Sequence, residues 1–144
     1  MSPALLELMA RVITHIPDNG DLTLVILKGH LIVEEEVNTA LAARASVPNH
    51  LRDAKLEFDQ LLSITKAFYF KEEHGWVWGG IKKLNSIRNL LAHNMEPPDL
   101  GARINEFLEL VEGHINSERD STAERLRRCI AMLAAQVHHL YRKP

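Results

Sequence analysis

Apolar residues recur along the chain three and four apart, the period of an α-helix, and no segment alternates convincingly with period two. The pattern predicts helices over 3–16, 22–45, 51–69, 77–94, 100–115 and a last one reaching residue 142, with turn signals between them. Pro3 opens the first helix near its first turn. The strings "PDNGD" (17–21) and "SVPNH" (46–50) break the chain after the first and second. In the third, Leu51, Ala54, Phe58, Leu61, Leu62, Ile64 and Phe68 fall on helical spacing. "KEEHGWVWGG" (71–80) is a loop, or a loop running into a helix start. Pro97 and Pro98 end the fourth helix, because neither can continue it and Glu96 is pushed out of the helical region. Asp99 is placed to cap the fifth. Ser117 or Ser121 opens the last helix, which carries Leu126, Ile130, Leu133, Val137 and Leu140. The expectation is an all-α bundle of five to six helices, one domain spanning 1–144.

One helix breaks its own pattern. In the fourth, Val77, Ile81, Leu84, Leu91 and Met95 form an apolar stripe, and Arg88 falls in its middle. A guanidinium keeps its proton, so burying it unpaired is costly. It must snorkel, find an acid or face a cleft. The second helix offers an acid: Leu27, Leu31, Val37 and Leu41 mark its inner side, where Glu34 projects near the centre, Glu35 lies on the margin and Glu36 points away. A Glu34–Arg88 pair between neighbouring helices follows as an expectation. It would serve equally as a structural ion pair fixing register or as part of a site. His93 lies about 140° round the helix from Arg88, but shares a face with Asn89, four residues back. Asn89 could therefore bond the imidazole and select its tautomer. Alone, a histidine at a helix C-terminus is an ordinary favourable cap.

Bulk composition narrows the setting. The chain has 144 residues, 46% of them hydrophobic and 25% charged, an ordinary globular balance. Its formal net charge of −2 provides no general attraction for nucleic acid, so any RNA contact needs a local basic patch. Cys129 is the single cysteine, which excludes an intramolecular disulfide and a multi-cysteine metal site. The N-terminus lacks the basic start and long apolar run of an export signal, and no stretch is long and apolar enough to span a membrane. A cytoplasmic setting is expected.

The string "RNLLAH" has the form of the HEPN superfamily signature (higher eukaryotes and prokaryotes nucleotide-binding): an arginine, a spacer of about four to six residues, then a histidine. Asn89 supplies the polar residue that commonly follows the arginine. "KLNSIRNLLAHN" resembles the "LN.(I/L)RN..AH" context of bacterial members, and "GHLIVEEEVNTALAA" resembles their earlier helix, the likeness covering roughly residues 20–95. It implies a helical bundle that dimerises and acts as a metal-independent endoribonuclease without a cofactor. Many such proteins are toxins of toxin–antitoxin or phage-defence systems, which adds a nucleotidyltransferase-like antitoxin as an expected partner. By the same resemblance His93 is the general acid/base, Arg88 holds the scissile phosphate, and Asn89 orients His93 or the phosphate. Glu34 supports Arg88, on a looser match. The chemistry suits these residue types. RNA carries its own 2′-hydroxyl nucleophile, imidazole exchanges protons near neutral pH, and a guanidinium fork fits a pentacoordinate phosphate. An alternative implication is a non-catalytic HEPN-like module that binds RNA or nucleotides, or regulates.

Other features read more plainly. His138 and His139 diverge by about 100° on a helix and are expected to be solvated or partly packed. Trp76 and Trp78, just after Phe68, Tyr69 and Phe70, suit core packing first and base stacking second. Gly79-Gly80 lacks the context of a phosphate loop and sets the start of a helix instead. "ERLRR" (124–128) and "YRKP" (141–144), with Lys82 and Lys83 if the helices adjoin, suggest a basic side. Cys129 reads as core filler.

Overall fold

Several helices begin where the sequence supplies an acceptor for their first free amides. In the computed structural model, which describes residues 2–16, 20–115 and 120–142, the Ser2 hydroxyl accepts from Leu5 N at 3.2 Å and opens α1 (Pro3–His15). Asp21 accepts from Leu24 N at 3.0 Å and opens α2 (Leu22–Ala42). Ser121 accepts from Glu124 N at 3.3 Å and opens α7 (Thr122–Arg142), while Ser117 lies outside the described residues. Asp99 stands at the start of α6 (Leu100–Glu112) without capping it: its carboxylate accepts from Arg103 Nε at 3.2 Å.

The stretch expected as one helix over 51–69 is two, α3 (Asn49–Asp53) and α4 (Phe58–Tyr69). Lys55 takes a left-handed conformation, φ 49°, which turns the chain between them. Glu57 and Gln60 then form a capping box for α4. The buried side of α4 also differs from the expected one. Thr65 and Tyr69 are buried while Ile64 and Phe68 are exposed. Both buried hydroxyls are satisfied, Thr65 on the Leu61 carbonyl at 2.7 Å and Tyr69 on the Ala40 carbonyl at 2.7 Å. A short 3-10 turn, Glu72–His74, leads into α5 (Gly75–His93). Among the described residues there are thus seven α-helices and no strand, an all-α bundle.

The middle of the bundle is α2, buried on two sides and packed most extensively on α7. At Gly29 an added Cβ would lie 2.7 Å from the Ile130 side chain, so glycine permits this close approach. Gly80 does likewise within α5, where a Cβ would lie 3.0 Å from Leu133. It marks a helix contact rather than the helix start expected of the Gly-Gly pair. Cys129 is fully buried in the same core, and burial pushes its thiol up to about 12.

Side-chain pairings give the helix directions. Phe58 and Tyr69 of α4 meet His30 and Ala40 of α2, so these helices run parallel. Asp59 bonds Asn85 of α5, and Lys66 shares a groove with Trp78, so α4 and α5 run antiparallel. It follows that α2 and α5 are antiparallel. None of the described helices is long and apolar enough to cross a membrane.

Candidate functional site

The last two turns of α5 hold the candidate residues. Its buried residues run from Val77 to Ile87, and nothing beyond Ile87 is fully buried. Arg88 follows Leu84 by four residues and is half-buried, as its place in the stripe requires. Met95, expected to continue that stripe, lies past the helix and is 99% exposed. The helix stops at His93, and Asn94 is extended.

Arg88 does not pair with Glu34. Asn85 meets His30, and from that point Arg88 lies three residues further along α5 while Glu34 lies four further along α2. On antiparallel helices those steps diverge, by about 10 Å along the axes. Glu34 sits instead beside its own helix neighbour, with Oε2 3.6 Å from His30 Nδ1. The Arg88 guanidinium donates to Asn89 Oδ1 at 3.2 Å. Among the described residues no carboxylate comes within ion-pair distance of it.

Behind Arg88 lies a buried polar chain that periodicity alone did not pick out. His30, 1% exposed, has Nε2 3.0 Å from Asn85 Oδ1. Asn85 Nδ2 in turn donates to Asp59 Oδ1 at 3.1 Å. A carboxylate only accepts, so the Asn85 amide must turn its NH2 to Asp59 and its carbonyl to His30. His30 therefore carries its proton on Nε2. Burial holds the His30 pKa down to about 4; the Asn85 bond raises it partly and the nearby Arg88 charge lowers it further. The available signal was Asn85 itself, a polar residue four after Ile81 on the buried side.

His93 is exposed and lies in a shallow open depression with Ser86, Asn89, Leu90, Asn94 and Arg103. Asn89 joins the two halves of the motif: its carbonyl accepts from Arg88 and its side chain lines the depression beside His93. Its amide oxygen is turned to Arg88, not to the imidazole. Within one chain, then, Arg88 and His93 share a neighbour but not a face.

A second polar cluster joins α2 and α7. Glu36, expected to point away from the core, is only 6% exposed. Tyr141 donates to Glu36 Oε2 at 2.6 Å, and His138 Nδ1 lies 3.2 Å from the same oxygen and 3.0 Å from the Tyr141 hydroxyl. Burial and the carboxylate together push the Tyr141 phenol up. His138 is buried and His139 exposed, so the histidine pair is split. The clue was on α2, where Val25, Gly29, Ile32, Glu36 and Ala40 make a second stripe toward α7.

The expected basic side of α7 is largely neutralised. Arg125 pairs with Glu112 at 2.5 Å, Arg127 with Glu124 at 3.4 Å, and Arg128 with Asp120. Lys83 pairs with Glu106 at 3.7 Å, and Lys143 lies outside the described residues. Trp76 stacks on His114 with ring centroids 4.7 Å apart, and Trp78 is buried in the core. Among the described residues no three His, Cys, Asp or Glu side chains converge as metal ligands would. Comparison with protein-family models, curated proteins and solved structures found no significant match.

Proposed function

We propose that this protein is a HEPN-type endoribonuclease that cuts RNA without a metal, with a site assembled from two copies of the chain. One observation carries the reading: Arg88 is a half-buried guanidinium with no carboxylate partner among the described residues, joined through Asn89 to the face that bears His93. A charge held so suits an anion that arrives from outside. In the reaction, His93 takes the 2′-hydroxyl proton, the 2′-oxygen attacks the adjacent phosphorus, and the P–O5′ bond breaks. A second imidazole, from the other copy, gives a proton to the leaving 5′-oxygen. Arg88 and Asn89 hold the phosphate oxygens as charge develops on them. Two copies relieve the facing problem, because Arg88 of one chain and His93 of the other can approach one phosphate from opposite sides. The resemblance places such an enzyme among toxin or defence proteins held in check by a nucleotidyltransferase-like antitoxin.

The test is cleavage of single-stranded RNA in the presence of a chelator. Products ending in 2′,3′-cyclic phosphate are expected, with loss of cutting in His93→Ala and Arg88→Met. Cutting that survives His93→Ala would remove this histidine from the chemistry.

A second reading, a non-catalytic HEPN-like module that binds RNA or nucleotides, draws on a different observation. The Asn89 amide oxygen is committed to Arg88, leaving the exposed imidazole of His93 without that orienting group. Tight RNA binding with no cleavage, by a chain that is dimeric in solution, would favour it.

A further inference from the structure

A groove between α4 and α5 holds chemistry that the motif does not use. It has a volume of about 350 Å³ and is lined by Asp59, Leu62, Ser63, Lys66, Trp78, Gly79 and Lys82. Neither lysine has a carboxylate within ion-pair distance among the described residues, in contrast to the paired arginines of α7. Lys66 lies 5.2 Å over the Phe70 ring, which leaves its charge uncancelled. Asp59 is the one acid lining the groove, and one of its oxygens is taken by Asn85. The floor residue Trp78 has a buried indole N–H with no acceptor. Buried donors without partners are uncommon.

The helix face that borders the groove also carries part of the motif. Lys82, Ser86, Asn89 and His93 are spaced four, three and four along α5, so they lie on one face of the helix. Ser86, Asn89 and His93 line the depression at its end, and Lys82 lines the groove. The distance from Lys82 to His93 along the axis is about 16 Å, room for several nucleotides.

We infer that the α4–α5 groove is a phosphate subsite for the same RNA strand that reaches His93, with Lys66 and Lys82 holding a backbone phosphate some nucleotides away from the one cleaved. The inference rests on the ribonuclease reading. It gives the substrate a path: along the exposed face of α5, with the groove at one end and the scissile bond at the other. It also explains how a chain of net charge −2 recruits RNA, through a groove whose two lysines outnumber its one acid rather than through its overall charge.

The experiment is a fluorescence-anisotropy titration of a labelled single-stranded oligoribonucleotide against the full chain carrying His93→Ala, so that RNA is not cut. The same is done with Lys66→Gln and Lys82→Gln added, over a series of salt concentrations. The expected result is about tenfold weaker binding at low salt. The slope of log affinity against log salt should also become shallower by about 1.4, two contacts at about 0.7 each. Binding of the strand with unchanged affinity and slope would overturn the subsite while leaving the ribonuclease reading standing. No binding of RNA by the His93→Ala chain would overturn both. Because both lysines are exposed, matching circular dichroism melts are expected and would exclude unfolding as the cause.

Discussion

Two of the polar groups set into this bundle are built oppositely. Between α2 and α7, Glu36 receives the Tyr141 hydroxyl and faces His138 Nδ1, all three brought together by one chain. At the end of α5, Arg88 reaches only the side chain next to it, and His93 opens on a shallow depression. The first cluster is closed around its carboxylate: Glu36, His138 Nδ1 and the Tyr141 hydroxyl meet within the fold, and His138 Nε2 alone of their polar atoms is buried without a partner. The second lacks its anion. A polar residue at an apolar position thus has two meanings, and the presence of a counter-group within the fold decides between them. A closed cluster should govern stability, and an open one should govern what the protein does.

The sharpest way to break this contrast is Glu36→Leu. It leaves the Tyr141 hydroxyl and His138 Nδ1 with only each other for a partner, and should cost about 3 kcal/mol by urea unfolding. Adding His138→Leu and Tyr141→Phe should recover most of that loss, since a fully apolar patch leaves nothing unpaired. A triple variant as unstable as the single one would mean that the cluster is not the closed unit described. RNA cleavage per folded molecule should stay near that of the unsubstituted chain throughout.

His30 gives the next effect, through pH. Its ring stays neutral in the fold down to about 4, whereas the unfolded chain takes up a proton near the ordinary value of 6.5. Between those values the unfolded state binds more protons. Stability should therefore fall as pH drops from about 6.5 toward 4, by on the order of 3 kcal/mol, and this contribution should change little below that. Urea midpoints at about pH 7 and pH 4.5 measure it. Replacing His30 and Asn85 together by leucine should flatten the slope in that window. An unaltered slope would locate the titrating group elsewhere.

Arg88→Met should move stability by less than about 1 kcal/mol, because it removes a charge that has no internal partner to strand. The same change should lower RNA cleavage at least about a hundredfold. A large stability loss would show that Arg88 has a structural partner, and would move it into the closed class. His93→Ala, at an exposed position, should change stability by no more than about 0.5 kcal/mol while abolishing cleavage.

The helices were legible because their breaks are written in residue types: Pro97-Pro98, "PDNGD", "SVPNH". The division at Lys55 was not, since lysine carries no mark of a left-handed conformation. Nor was the buried face of α4. Ile64 and Phe68 are the more apolar residues, but the position of α2 places Thr65 and Tyr69 inside, where carbonyls accept their hydroxyls. In the candidate site, Arg88, Asn89 and His93 stood out because they disturb a pattern on a single helix. Glu34 was misjudged because the periodicity of one helix does not carry the direction of its neighbour. Glu36 and His138 were passed over because α2 is covered on two sides, and a search for one inner stripe sees only half of its burial.

One further consequence concerns α5 as a mechanical object. Core packing holds it most tightly from Val77 to Ile87, Leu91 still packs on the core, and only Ala92 and His93 stand past that last contact, by about 3 Å. It is a cantilever. Stiffness along the helix, rather than contacts around His93, sets where the imidazole sits, and the restraint weakens toward the tip. The last turn is held by the Leu90 carbonyl, which accepts both from Asn94 N at 3.0 Å and from the Asn94 side chain at 3.2 Å. Amide hydrogens there should exchange well before those of the clamped turns. A load placed on the tip, by RNA or by a second chain, would bend the beam past Leu91, its last contact with the core.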